Sequence, residues 1–195
     1  MRRWGSGIVA VAALAAGVGT AVAVAGSAGS GQARITIEGF EQNALTISGS
    51  GFADEVTVRK GTGKTITING TTWVNMRTDC GDGTGGPGTG EGPLYCNEHG
   101  ETKLITAPLN AGDDVLTIIG RFTGMTIAGS GLGGSDTLGG SAAPESFSGG
   151  PGRDDLRGKG GADDLGGGGG RDSINGGPGG DTCRGGAGKD EIKSC

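Results

Sequence analysis

The sequence predicts an all-β chain wound as a solenoid, a flattened coil of short strands joined by tight glycine turns. Three observations predict it. Glycine supplies 48 of the 195 residues, whereas aromatic residues make up 4% and the hydrophobic set 33%. That balance suits a repeat fold needing glycine at fixed backbone positions, and it excludes an ordinary enzyme built around a large apolar core. A nine-residue pattern recurs without insertion near the C-terminus, and short runs of β-branched and aliphatic residues recur upstream of it. Apolar and polar residues alternate within most of those runs, which marks strands. Collagen is excluded because no window carries glycine at every third residue.

At the N-terminus, Arg2 and Arg3 precede an apolar run from Gly7 to Ala25, and Ala21, Ala23, Ala25 and Ala28 offer Ala-x-Ala cleavage options. This layout predicts a secretory signal peptide over residues 1–25, cleaved near Ala25, followed by a linker at 26–33. The run is about long enough to span a bilayer if uncleaved. A secreted location follows, either free or associated with the cell surface. No membrane-active segment remains after the signal is removed, so neither membrane insertion nor pore formation is expected. Cysteine usage agrees, because Cys80, Cys96, Cys183 and Cys195 form an even set without a CxxC spacing, which reads as two disulfides rather than a zinc site. Three pairings are formally open. The split into a central and a terminal pair favours Cys80 with Cys96 and Cys183 with Cys195.

Residues 34–130 read as an irregular solenoid-like region, with a separate small β-sandwich as the alternative. Strand-like runs fall at Ile35–Ile37, Leu45–Ile47, Val56–Val58, Ile66–Ile68, Leu104–Thr106, Leu116–Ile118 and Met125–Ile127. GSGFADEVT at 49–57 and NAGDDVLTI at 110–118 look like decayed versions of one turn followed by a strand, in coils expected to be mostly metal-free. Residues 78–100 form a long glycine-rich loop clipped by the expected Cys80–Cys96 bond, in which Asp79, Asp82, Glu91, Glu98 and His99 cluster. One histidine near carboxylates more often marks a solvated loop than a site. Asn69-Gly70-Thr71 is a formal glycosylation sequon.

The repeat itself is read from Gly149: GGPGRDDLR, GKGGADDLG, GGGGRDSIN, GGPGGDTCR and GGAGKDEIK, ending at Lys193. The sixth position is always Asp: Asp154, Asp163, Asp172, Asp181 and Asp190. The eighth holds Leu156, Leu165, Ile174, Cys183 and Ile192. The same register extends backward through GSAAPESFS, with Glu145 and Phe147 at those positions, and GLGGSDTLG, with Asp136 and Leu138. Residues 140–148 keep only Gly140 of the turn glycines.

Glycine permits the left-handed dihedrals of a tight turn and leaves backbone carbonyls uncovered. The residues after the Asp form a short strand with one inward side chain. If two units make one coil of eighteen residues, Asp136, Asp154, Asp172 and Asp190 stack along one edge and Glu145, Asp163 and Asp181 along the other. Coils lie roughly 4.8 Å apart, so each edge is a column of like charges. A hard divalent cation with oxygen ligands relieves the repulsion. Calcium, which accepts six to eight oxygens in loose geometry, suits such turns better than magnesium or zinc. The acids at position seven, Asp155, Asp164 and Glu191, are expected to be solvated.

Over residues 131–193 the chain resembles the RTX, or hemolysin-type, calcium-binding nonapeptide repeat family, whose pattern is G-G-x-G-x-D-x-U-x. The resemblance implies a parallel β-roll, a right-handed β-solenoid with calcium-binding GGxGxD turns. It also implies ions between coils, held by the position-six acid and by carbonyls of two neighbouring turns. Carried over, the metal ligands are Asp136, Glu145, Asp154, Asp163, Asp172, Asp181 and Asp190. They leave three gaps on one edge (136/154, 154/172, 172/190) and two on the other (145/163, 163/181). Many members of that family carry a C-terminal export signal, whereas this chain has an N-terminal one and stops two residues after its last repeat, in a cap at 194–195.

The function expected is that of a secreted calcium-binding repeat protein, with calcium driving folding after export. The alternative is a surface adhesion or matrix module with an extracellular protein or polysaccharide partner. A net charge of -5 excludes a basic nucleic-acid surface. Catalysis is not expected. HExxH is absent, no GxSxG motif is followed by a histidine to complete a triad, and His99 is the only histidine.

Overall fold

The computed structural model describes residues 35–41, 44–60, 65–75, 80–81, 89–97 and 103–195. The expected signal peptide and linker, and Asp79, Asp82, Glu98 and His99 of the central loop, lie outside the described residues. Among the described residues there are strands and no helix. In chain order the first eight are β1 (Ile35–Glu41), β2 (Ala44–Ser48), β3 (Glu55–Lys60), β4 (Thr65–Asn75), β5 (Cys80–Gly81), β6 (Thr89–Asn97), β7 (Leu104–Pro108) and β8 (Val115–Ile119). The remainder are β9 (Thr126–Ser130), β10 (Thr137–Gly139), β11 (Glu145–Gly152), β12 (Asp155–Arg157), β13 (Asp164–Gly170), β14 (Ser173–Asn175), β15 (Thr182–Gly188) and β16 (Glu191–Lys193).

These strands form a parallel β-solenoid. One stack runs β2, β7, β9, β11, β13, β15, and the other runs β3, β8, β10, β12, β14, β16, every neighbouring pair within a stack being parallel. In the repeats the register advances by two units, so Leu138 faces Leu156, Ile174 and Ile192 in turn, while Phe147 faces Leu165 and Cys183. The short strands follow from the sequence. Each nonapeptide spends most of its length on a turn and leaves a few residues for the ladder, whose alternation puts one side chain inside.

At the N-terminal end the two stacks are joined through antiparallel strands, β1 on β2 and β4 on β3, with β1 and β4 parallel to each other. Here the structure corrects the expected loop at 78–100. Residues 89–97 are a strand, β6, which pairs antiparallel with β4, and Cys80 of β5 lies opposite Cys96 in the backbone register. Glycine at positions 90 and 92 signalled a loop, but both glycines take a place in the ladder, opposite Trp73 and Gly70.

One apolar cluster runs through the solenoid, from Leu45, Ile47, Val56 and Val58 through Ile105, Leu116, Ile118 and Ile127 to Leu156, Leu165 and Ile174. It thins toward the C-terminus. β2, β3, β7 and β8 each bury two apolar side chains, the repeat strands from β10 to β14 bury one, Cys183 is partly buried, and Ile192 is 46% exposed. The terminal coil is closed covalently by a Cys183–Cys195 disulfide, with the Cα atoms 5.9 Å apart.

Candidate metal centre

The acids that precede the strands of one stack form a continuous file. Asp54, Asp114, Asp136, Asp154, Asp172 and Asp190 stand immediately before β3, β8, β10, β12, β14 and β16. The file is bonded internally. The backbone N–H of Asp54 donates to Asp114 Oδ1 at 2.7 Å, that of Asp114 to Asp136 Oδ1 at 2.8 Å, and that of Asp136 to Asp154 Oδ1 at 2.9 Å. The N–H groups of Asp154 and Asp172 continue the pattern onto Asp172 Oδ1 at 3.0 Å and Asp190 Oδ1 at 3.1 Å. A second file on the other edge joins Glu145 to Asp163 and Asp163 to Asp181, each N–H donating to the next Oδ1 at 2.9 Å. This file starts at Glu145 because its partner in the preceding coil is Ile127.

The structure therefore places all seven sequence-derived residues in two files, four on one edge and three on the other. It adds two that the repeat register missed, Asp54 and Asp114. GSGFADEVT matches the repeat with Asp54 at position six, and that was the available signal. The second window needs a correction of one residue. Val115 pairs with Thr137 and Leu116 with Leu138, so the unit begins at Leu109, not Asn110. The coil from Asp114 to Asp136 is 22 residues long, which hides this register from a search at fixed period.

One oxygen of each later aspartate is thus used, and Oε1 of Glu145 instead accepts from the Ser141 hydroxyl at 2.5 Å, so that in most of these acids the other oxygen is left over. The second carboxylate oxygens of Asp114, Asp136, Glu145, Asp154, Asp163, Asp172 and Asp181 are buried without a hydrogen-bond partner. Leaving a buried polar atom unsatisfied costs about 1–3 kcal/mol, more when it is charged. Asp54 and Asp190 stand apart from this set; Asp54 Oδ2 accepts from the Ser50 N–H at 2.6 Å and the Ser50 hydroxyl at 3.1 Å.

What these orphaned oxygens face is the first glycine of their own turn. A Cβ added at Gly131, Gly140, Gly149, Gly158, Gly167 or Gly176 would meet the free oxygen of the acid five residues on, at no more than 2.6 Å. The same Cβ would lie 2.5–2.8 Å from a backbone carbonyl of the following coil, which is the oxygen of Gly149, Gly158, Gly167, Gly176, Gly185 or Ser194 respectively. Only glycine leaves that space open. At position four, Gly152 and Gly170 adopt φ of 154° and 138°, and a Cβ there would collide with the carbonyl one coil earlier. In the turn of Asp114, Leu109 occupies the first position with a buried side chain, so the bare cradle is missing.

Burial pushes the Asp114 and Asp154 carboxyls up to about 6 and that of Glu145 up to about 7. It also raises Asp54, Asp136 and Asp163. Neighbouring acids push the same way, Asp54 and Asp136 acting on Asp114, and Asp136 and Asp172 on Asp154; the N–H donated to each carboxylate opposes them. The position-seven acids are separate from the files. Asp155 pairs with Arg157 and Asp164 with Arg184, both at 2.6 Å on the exposed face, where such pairs contribute at most about 1 kcal/mol.

The donor set is all oxygen, one carboxylate and one turn carbonyl converging on each bare glycine, and this fits a hard cation such as calcium. It does not fit a metal held by side chains alone, for no group of three His, Cys, Asp or Glu side chains converges among the described residues. No helix among the described residues is long and apolar enough to cross a membrane. No family model, curated protein or solved structure matches the chain.

Proposed function

We propose that the chain is a secreted calcium-binding β-roll protein of the hemolysin-type repeat kind, in which calcium serves as a folding cofactor. The observation that carries this reading is the row of buried, unpartnered carboxylate oxygens, all but that of Asp114 aimed at a glycine that leaves room beside a carbonyl of the next coil. Seven unsatisfied oxygens at about 1–3 kcal/mol each rival the whole net stability of a domain, about 5–15 kcal/mol. Bound calcium would supply the positive charge that the two files lack and accept oxygens from adjacent coils. Asp136, Asp154, Asp172, Glu145 and Asp163 would each hold it through the free oxygen in the five gaps between repeat units, while Oδ1 of the aspartates keeps the coil spacing by accepting a backbone N–H. Glycine at position one keeps the approach clear.

Binding free energy at such sites is folding free energy. Export fits this, since calcium is scarce in the cytosol and plentiful outside, and the Cys183–Cys195 disulfide belongs to an oxidising compartment. The test is a calcium titration of the mature chain, disulfides intact, followed by far-UV circular dichroism and calorimetry. β-signal and bound ions are expected to rise together. Equal β-signal in chelator and in roughly millimolar calcium, the range in which extracellular calcium modules bind, would refute the reading.

A further inference from the structure

The two files end differently at the C-terminus. Around Gly185 the three atoms nearest an added Cβ all belong to Asp190, with no backbone carbonyl among them. Around Gly176 the pattern is complete, with a residue outside the nonapeptides supplying the carbonyl. Asp181 Oδ2 and the Ser194 carbonyl both lie 2.5 Å from the Cβ position. Ser194 thus takes the place that Gly176 O takes over Asp163 and Gly158 O takes over Glu145. The tail is seated by the Gly176 N–H donating to Lys193 O at 3.2 Å and the Gly177 N–H donating to Ser194 O at 3.0 Å. A carbonyl has two lone pairs, so Ser194 O retains one for a cation. Ser194 itself holds a left-handed backbone, φ 51°, and the next residue is Cys195, bonded to Cys183. Asp181 Oδ2 is sealed from solvent and has no partner.

We propose that Asp181 and the Ser194 carbonyl form a further cation site, beyond the five gaps between repeat units, and that the Cys183–Cys195 disulfide holds it together. The inference rests on the calcium reading above. The bond tethers Ser194 and Cys195 against the coil of Asp181, so this site is closed by a covalent link. Reduction, which adds two electrons and two protons and leaves two thiols, frees Ser194 and dismantles the site. By linkage, calcium must also make this bond harder to reduce.

The test counts calcium ions per chain by equilibrium dialysis, with the disulfides oxidised and after dithiothreitol, and follows reduction of Cys183 and Cys195 by mass-resolved thiol labelling with and without calcium. The expected result is one ion fewer after reduction, or a fall in affinity of roughly tenfold or more at one site, together with slower labelling of the pair in calcium. Asp181→Asn with its disulfide intact should lose the same single ion, and its reduction should cost no further ion. An unchanged count on reduction of the wild type would overturn the proposal while leaving the calcium reading standing, as would a further loss on reducing the Asp181→Asn variant. No calcium bound in either redox state would overturn both.

Discussion

Raising the pH of the calcium-free protein from about 4 to about 8 ionises the buried acids in sites that hold no counterion. Asp114, Asp154 and Glu145 have folded values above their ordinary ones, about 6, 6 and 7. A carboxyl raised by folding favours the folded state while it is protonated. Its contribution is therefore full below the ordinary value near 4 and is lost as pH climbs through the folded value. For Glu145 the rise from 4.5 to about 7, at about 1.4 kcal/mol per tenfold change in proton affinity, amounts to roughly 3 kcal/mol. Asp114 and Asp154, rising from 3.8 to about 6, contribute roughly 3 kcal/mol each on the same reckoning. The structural reason is that a protonated Asp154 Oδ2 becomes a donor facing the cradle it shares with the Gly167 carbonyl, which removes one unsatisfied oxygen.

Thermal unfolding by circular dichroism in chelator should show this directly. The Tm is expected to fall between about pH 4 and pH 8, the Glu145 share alone lowering it by roughly 6–12 °C. Glu145→Gln should remove that share of the slope. In saturating calcium the sign reverses, because protons and the cation compete for the same oxygens, so apparent calcium affinity should rise over the same range. A calcium-free Tm that is flat or higher at pH 8 would refute the assignment of these carboxylates as buried and uncompensated.

Asp154→Asn keeps Oδ1 as acceptor for the Asp136 N–H and replaces the orphaned oxygen by an amide donor. It should stabilise the calcium-free protein by about 1–3 kcal/mol at neutral pH and remove one ion from the count, as chemical denaturation and dialysis would show. Gly167→Ala puts a Cβ against Asp172 Oδ2 and 2.7 Å from Gly185 O, whereas Gly169→Ala meets nothing within 4 Å. The first should cost about 1–3 kcal/mol and an ion, while the second should leave calcium binding unchanged in the same titration. Leu156→Ala, at a fully buried position, should cost about 2–5 kcal/mol in denaturant midpoints, and Ile192→Ala, 46% exposed, under about 1 kcal/mol.

Much of this arrangement was legible because two side-chain identities ride at constant offsets. Asp at position six and an aliphatic at position eight, with two units per coil, suffice to put Asp154 over Asp172 and Leu156 over Ile174. What escaped depends on coil length and backbone approach. Asp54 and Asp114 belong to the same file, but 60 and 22 residues separate consecutive members there, against 18 in the repeats. Which oxygen of each acid is satisfied is a matter of where the neighbouring coil presents its N–H, and no pattern of residue types encodes that. The Ser50 cap on Asp54 was invisible for the same reason, as was the Ser194 carbonyl, since any residue supplies a carbonyl. β6 was missed because glycine at 90 and 92 outweighed the Leu94–Tyr95–Cys96 run that follows.

The taper of the core and the position of the acids are one design. In β2, β3, β7 and β8 each strand buries two apolar side chains, and there Ser50 satisfies Asp54 and Leu109 stands where the later turns have their first glycine. From β10 to β14 each strand buries one, and there the turns open into cradles with free carboxylate oxygens. One buried aliphatic, worth about 1.5–3 kcal/mol, is little for a nine-residue unit whose glycines lose more backbone freedom on ordering than any other residue. In a solenoid each coil contacts only its neighbours, so stability is a sum of local coil and interface contributions rather than the property of one shared core. A repeat coil is therefore weak unless something acts at its own interface. The oxygens that would hold a cation lie at those interfaces, and the covalent bond joins Cys183 to Cys195 beside the coil of Ile192, which is 46% exposed. On the calcium reading, the apolar N-terminal coils would serve as the preformed edge on which the polar coils are laid, and order in those coils would depend on the ion that fills their turns.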